Sequence, residues 1–187
     1  PLLVGVFIWF PPILVTKLYI SNFEKIKTIK YALLWEIYQT FETIDQKQIS
    51  PRWKEFIAFT KRHASWLTPY AIFRTAKDLY KWRSWQEWPQ GLKELSTEFI
   101  KDFVSKNEKQ IMFFSFIQWI AQEQLENVRK TAKEKGVLLF GDIPFGVNFD
   151  SADVWANQSK YLLRAEVGAP ADNLAEEGQK WGLPAYN

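Results

Sequence analysis

Cysteine is missing from the chain, and histidine and methionine occur once each in 187 residues. Without cysteine there are no disulfides and no thiolate metal sites, and a lone His63 excludes a histidine-rich zinc centre. No cofactor is implied, and a cytoplasmic location is the default expectation. His63 stands between Arg62 and Ala64 and reads as a solvated helix residue rather than a catalytic base. Excess charge of one sign is lacking too: 24 Lys and Arg against 21 Asp and Glu leave a net +3. The two signs are interspersed, the densest basic run being the three lysines between Glu24 and Lys30, so no nucleic-acid partner is expected. A long uninterrupted apolar run is also absent. Residues 2 to 16, LLVGVFIWFPPILVT, carry no charge but fall short of the roughly 18 to 20 residues of a spanning helix, and Pro11 and Pro12 break them. Lys17 follows this run, whereas a signal peptide places its basic region before it. No membrane role is expected, and a buried strand or loop is the preferred reading of this segment.

What is present is 47% hydrophobic and 24% charged, the balance of a globular chain long enough to build a core. No methionine opens it, and it ends in WGLPAYN without a terminal helix or cap. The expectation is a piece of a longer polypeptide.

The middle reads as helical. Ile26, Ile29, Leu33, Ile37 and Phe41 recur at spacings of three and four, the period of one helix face. A second helix is expected from Arg52 to His63, with Trp53, Phe56, Ile57 and Phe59 on its apolar side. Pro69 fits the first turn of a third helix reaching about Leu79, and Pro89 and Gly91 break the chain after it. The longest helix is expected over 108–135. Its stripe is Ile111, Phe114, Ile117, Ala121, Leu125, Val128 and Ala132, and Gly136 is its stop.

Tryptophan is in excess, at ten residues. Indoles stack on sugars and also fill helical cores. Trp35, Trp53, Trp66 and Trp119 lie in or beside helical segments and read as core. Trp155 and Trp181 lie in Gly-, Pro- and Asp-rich surroundings and are the candidates for ligand contact.

After Gly136, the run Val137 to Phe140 reads as a strand apolar on both faces, as in parallel sheets flanked by helices. Asp142 follows at its carboxyl end, where barrels and doubly wound sheets bind ligands. The competing reading is an acid that only bonds loop amides. From Asp142 to Asn187 little periodicity is visible, with Gly168, Pro170, Gly178, Gly182 and Pro184 as punctuation. Long loops of this kind carry function.

Two stretches, GDIPFGVNFDSADVWANQ and GAPADNLAEEGQKWGLPAYN, resemble the 4-α-glucanotransferases of the amylomaltase family, glycoside hydrolase family 77 of the α-amylase clan. That family has a Gly-Asp-x-Pro strand end, a Ser-Ala-Asp-Val-Trp-Ala segment and a Gly-Gln-x-Trp-Gly-x-Pro loop in this order. Weaker echoes are FIQWIAQEQL, WLTPYAIFRTAK and WQEWP upstream, and the resemblance covers roughly residues 22 to 187. PLLV at the start is similar to a segment following an early barrel strand, whereas residues 5 to 20 match poorly.

The resemblance implies an α/β fold: a partial (β/α)8 TIM barrel with a large helical insertion, of which this piece is mostly helical. Residues 1–20 would be the apolar, poorly matched segment. Residues 21–135 would be the helical insertion and long helix, and 136–187 the barrel strand and active-site cleft loop. It also implies transfer of α-1,4-glucan segments between malto-oligosaccharides with retention of configuration. Such chemistry uses an aspartate nucleophile and a glutamate acid/base about 5–5.5 Å apart. The family's nucleophile lies in an Arg-x-Asp-His motif, which does not occur here, so the catalytic pair is expected beyond the C-terminus and the piece inactive alone. Asp153, Glu176 and Glu177 are in the right region but are not taken as that pair. By resemblance, Asp142, Gln179 and Trp181 contact the glucan. Ser151, Asp153, Trp155, Gly182 and Pro184 support the loop or touch sugar.

Several positions depart from the family pattern. PADNLAEE replaces an aromatic-bearing run, with Asn173 and Leu174 at the aromatic pair, Leu183 stands in place of a frequent asparagine, and PFGV replaces a commoner Pro-Ile-Tyr-Val. These bear on acceptor preference, not on bond chemistry. Two other classes compete with the enzyme reading. A noncatalytic carbohydrate-binding module predicts a stop codon soon after Asn187, and a helical or membrane-associated interaction protein predicts partition with lipid.

Overall fold

The computed structural model describes residues 23–144, 146–173 and 175–187. The apolar run of residues 2–16 and the divergent 5–20 lie outside them, as does Leu174. The chain forms two compact units, one of Pro69–Ile111 with Phe140–Asn187, the other including 23–68 with Met112–Leu139.

Among the described residues, the regular elements of the second unit are all helical. Helix α1 (Phe23–Phe41) runs into a wider turn at Glu42–Gln46. Helix α2 (Pro51–Arg62) starts with Ser50, whose Oγ accepts the Trp53 N–H at 3.0 Å, while Pro51 at the first helical position forgoes nothing. The buried residues of α1 are Leu34, Tyr38 and Phe41, whereas Ile29, Leu33 and Ile37 are exposed. The expected stripe is therefore displaced by about one residue. The cause is aromatic: Trp35, Tyr38 and Phe41 face Phe113, Phe116 and Trp119, with centroids 4.8 Å apart for Trp35–Phe113 and 5.0 Å for Phe41–Phe116. Large rings bury more area than Ile or Leu and so choose the face. Phe56 and Phe59 of α2 are buried as expected.

Trp119 is buried and Trp35 and Trp53 are half-buried in this cluster, but Trp66 lies on the surface, its indole N–H directed to His63 Nδ1 at 3.3 Å. Outside the cluster it has no core to enter, which corrects its assignment to packing.

Helix α3 (Ala64–Leu79) begins five residues before Pro69, so the proline sits inside it rather than in its first turn. Helices α4 (Gln90–Lys93) and α5 (Thr97–Lys106) follow a short 3-10 turn at Trp85–Glu87. The sequence reading contained neither. The long helix α6 (Glu108–Glu134) agrees with expectation. Phe113, Phe114, Phe116, Ile117 and Trp119 are all buried, although Val128 is exposed, so its first half is buried around most of its circumference. Gly136 closes it at φ 68°. Its N–H reaches Lys133 O, and Val137 N–H reaches back to Ala132 O at 2.8 Å, the paired bonds of a Schellman cap.

Val137–Phe140 does not form the expected strand. The segment has no regular secondary structure and is exposed, with Leu138 and Phe140 almost fully so. A strand of a parallel sheet exists only through hydrogen bonds to neighbours on both sides, and no described segment supplies them. Conversely, the stretch read as aperiodic contains helix α7 (Ala152–Ala156) and an antiparallel hairpin of β1 (Tyr161–Ala169) and β2 (Gln179–Tyr186). This fold is mostly helical with one two-stranded sheet among the described residues.

Candidate functional site

The sequence-selected residues gather in the unit that contains the hairpin. Asp142 lies in the extended loop before α7, exposed, with Oδ1 accepting the Ile143 N–H at 2.8 Å. This amide bond is the one that the competing reading anticipated. Exposure leaves the carboxylate accessible to a ligand as well.

Further along the same loop, Gly146 packs closely on β2: a Cβ there would fall 2.5 Å from the end of the Leu183 side chain, Cδ1. The close approach brings the loop after Asp142 against β2, two residues beyond Trp181. Leu183, one of the departures from the family pattern, is thus the residue that makes this contact.

The hairpin register explains how Trp181 is presented. Val167 pairs with Leu183, but Gly168 pairs with Lys180, so Trp181 and Gly182 are extra residues bulging out of β2. Bulges re-aim side chains and favour glycine at positive φ, and Gly182 has φ 64°. Trp181 is 42% exposed. Its Nε1–H donates to Gln179 Oε1 at 3.0 Å, which couples the two side chains into one presented pair. Gly168 allows the strands to close, since a Cβ there would lie 2.0 Å from Gln179 O. Pro184 is buried in β2.

Ser151 Oγ accepts the Val154 N–H at 3.2 Å and caps α7, and Asp153 lies in its first turn, where an acid suits the helix dipole. Trp155 is 1% exposed, its indole N–H bonded to Leu92 O at 3.0 Å and its ring 5.9 Å from those of Phe73 and Trp88. No face of it meets solvent, so its candidacy for sugar contact gives way to loop support. Tyr161, at the start of β1, has its phenol pKa raised, first by burial and then by Asp153 and Tyr186. Glu176 and Glu177 are exposed before Gly178.

Sequence reasoning missed one pair. Lys77 of α3 is 3% exposed, with its ammonium bonded to Asp150 Oδ2 at 2.5 Å, Arg83 O at 2.8 Å and Trp82 O at 3.1 Å. The available signal was position: Lys77 follows Phe73 by four residues on the buried face of α3. Among the described residues no group of three or more His, Cys, Asp or Glu side chains is arranged to hold a metal ion. None of the described helices is long and apolar enough to cross a membrane.

The family model described as 4-alpha-glucanotransferase matches residues 14–187. The chain belongs to this glycoside hydrolase family 77. Among relatives of the 4-alpha-glucanotransferase family, the protein of Chlamydia muridarum is 33% identical over 89% of this chain and that of Thermus thermophilus 31% identical over 83%. The chain spans only 30% and 33% of their respective lengths. A solved amylomaltase from Streptococcus agalactiae, in complex with acarbose, superimposes with a TM-score of 0.76 at 26% identity, covering 90% of this chain and 34% of that one.

Proposed function

We propose that this chain is part of a 4-α-glucanotransferase that transfers α-1,4-glucan segments between malto-oligosaccharides by a retaining double displacement. In this reading residues 21–135 are the helical insertion of an incomplete (β/α)8 barrel, and 136–187 are its cleft side. Val137–Phe140 becomes a barrel strand only where neighbouring strands complete its hydrogen bonds. The nucleophile and the acid/base lie outside residues 1–187. Asp142, Gln179 and Trp181 meet the glucan, and Ser151, Asp153, Trp155, Gly182 and Pro184 hold the loop that presents them.

The observation that carries the proposal is the presentation of Trp181: an indole bulged from β2, half-exposed and bonded to Gln179, in a chain matched by the family model over nearly its whole length. A sugar offers apolar C–H faces to such a ring and hydroxyls to the amide beside it. Retaining transfer also needs a sugar hydroxyl to reach the glycosyl-enzyme before water, which a covering loop favours. The test is incubation of the full-length protein with maltotriose. Glucane exchange yields glucose together with longer oligosaccharides, and a folded protein that yields neither refutes the proposal.

A further inference from the structure

We propose that Lys77 and Asp150 form a positioning clamp for the substrate loop, an inference that rests on the glucanotransferase reading. The ammonium of Lys77 has three protons to donate, and three acceptors surround it: Asp150 Oδ2, Arg83 O and Trp82 O. Asp150 in turn uses its other oxygen, Oδ1, to accept the Trp85 N–H at 3.2 Å. The residue before it, Phe149, accepts the Trp85 indole N–H through its carbonyl at 2.8 Å. Two side chains and one indole therefore fix the backbone at 149–150 to the elbow between α3 and α4.

The Lys77 side chain is 4% exposed and that of Asp150 34%, so desolvation of the ammonium offsets much of the attraction and the pair adds little net stability. What a fully satisfied pair does provide is one geometry, since any shift of the loop leaves a charge or a carbonyl without its partner. The elbow is itself held in an uncommon shape: Lys81 and Trp82 have φ of 53° and 62°, a region that costs non-glycine residues energy. The Lys77 ammonium bonds the carbonyls of Trp82 and Arg83 and so holds that turn in the conformation that receives Asp150.

The clamp sits at the junction of the two parts of the candidate site. Upstream of Asp150 are Asp142 and Gly146, the latter against Leu183 of β2. Downstream, Ser151 starts α7, and Trp155 and Gln158 bond to the carbonyls of Leu92 and Lys93 at 3.0 and 2.7 Å. With the 149–158 side anchored this firmly, the clamp sets where the chain leading back to the exposed Asp142 carboxylate begins. Lys77 and Asp150 need not touch the sugar themselves; they act through the loop.

The experiment uses the full-length protein with Lys77→Met, Lys77→Arg and Asp150→Asn, and maltotriose as the probe. At a temperature where each variant is folded, Lys77→Met and Asp150→Asn raise KM at least about tenfold, an apparent loss of about 1.4 kcal/mol, with kcat changed less. Lys77→Arg recovers most of the loss. Hydrogen exchange on the same proteins shows faster exchange at 141–151 and unchanged protection in Glu108–Glu134. If a folded variant keeps KM within twofold and exchange at 141–151 is unaltered, the clamp is refuted, whatever happens to its melting temperature. Should Lys77→Met not fold, the isosteric Asp150→Asn decides by the same criteria. Failure of the unmodified protein to disproportionate maltotriose strikes the functional reading instead, and the exchange result then decides the clamp alone.

Discussion

Trp155 and Trp181 should respond to substitution in opposite ways. Trp155 is 1% exposed and donates its indole N–H to Leu92 O at 3.0 Å. Replacing it by alanine removes a buried ring, at a cost of about 3–5 kcal/mol. Trp155→Phe keeps most of the volume but orphans the Leu92 carbonyl, which costs about 1–3 kcal/mol. With a urea slope of about 2 kcal/mol/M, the phenylalanine variant moves the unfolding midpoint down by about 0.5–1.5 M. Trp181 is 42% exposed and its indole N–H bonds an exposed side chain, Gln179, so Trp181→Ala costs less stability than Trp155→Ala, about 1 kcal/mol. Its loss falls on binding instead: maltotriose KM rises about tenfold or more. Urea unfolding followed by fluorescence and initial rates on maltotriose, both on the full-length protein, separate the two effects. An unmoved midpoint for Trp155→Phe, or a Trp181→Ala protein as destabilised as Trp155→Ala, would refute the assignment of one ring to support and the other to ligand.

Gly168→Ala places a Cβ 2.0 Å from Gln179 O and should open the hairpin at the very bulge that presents Trp181, seen as faster amide exchange in both strands. Gly182→Ala meets no atom within 4 Å but must hold φ 64°, so its cost is conformational, about 1–2 kcal/mol. Thermal unfolding would measure it. Tyr161, whose phenol pKa is raised above 10.0, contributes stability that is present below that ordinary value and is lost as pH rises through the raised one. Unfolding at a series of alkaline pH values should therefore show a decline that Tyr161→Phe removes. Arg52 makes a bidentate pair with Glu123 and lies 4.2 Å over Trp119. Arg52→Ala should cost about 1 kcal/mol at low salt and less at high salt.

Much of the helical framework was legible because its signals are local. Ser50 and Pro51 open α2, and Gly136 closes α6, through chemistry contained in a few adjacent residues. Which face of α1 is buried was not legible, since Ile29, Leu33 and Ile37 have a valid helical period and lost only because a more distant helix offered aromatic partners to the adjacent face. The hairpin escaped notice although β1 alternates between less and more exposed residues along its whole length, a period-two signal that the sequence reading passed over; on β2 the extra residues Trp181 and Gly182 interrupt the alternation. The same irregularity projects Trp181, so the feature that hid the strand is the one that presents the ring. Within the site, motif resemblance selected Asp142, Gln179 and Trp181, but it was silent on Lys77 and Asp150.

Residue order alone determined the stop of α6 at Gly136, the absence of disulfide and thiolate chemistry, and the family resemblance, because each depends on the identity of residues or on bonds spanning one or two turns. Tertiary structure decided that Val137–Phe140 pairs with no strand among the described residues, that Trp155 is buried while Trp181 is exposed, and that Lys77 meets a carboxylate 73 positions away. Those outcomes depend on which distant groups share a low-dielectric space or a hydrogen-bond ladder, and no local pattern encodes such partners.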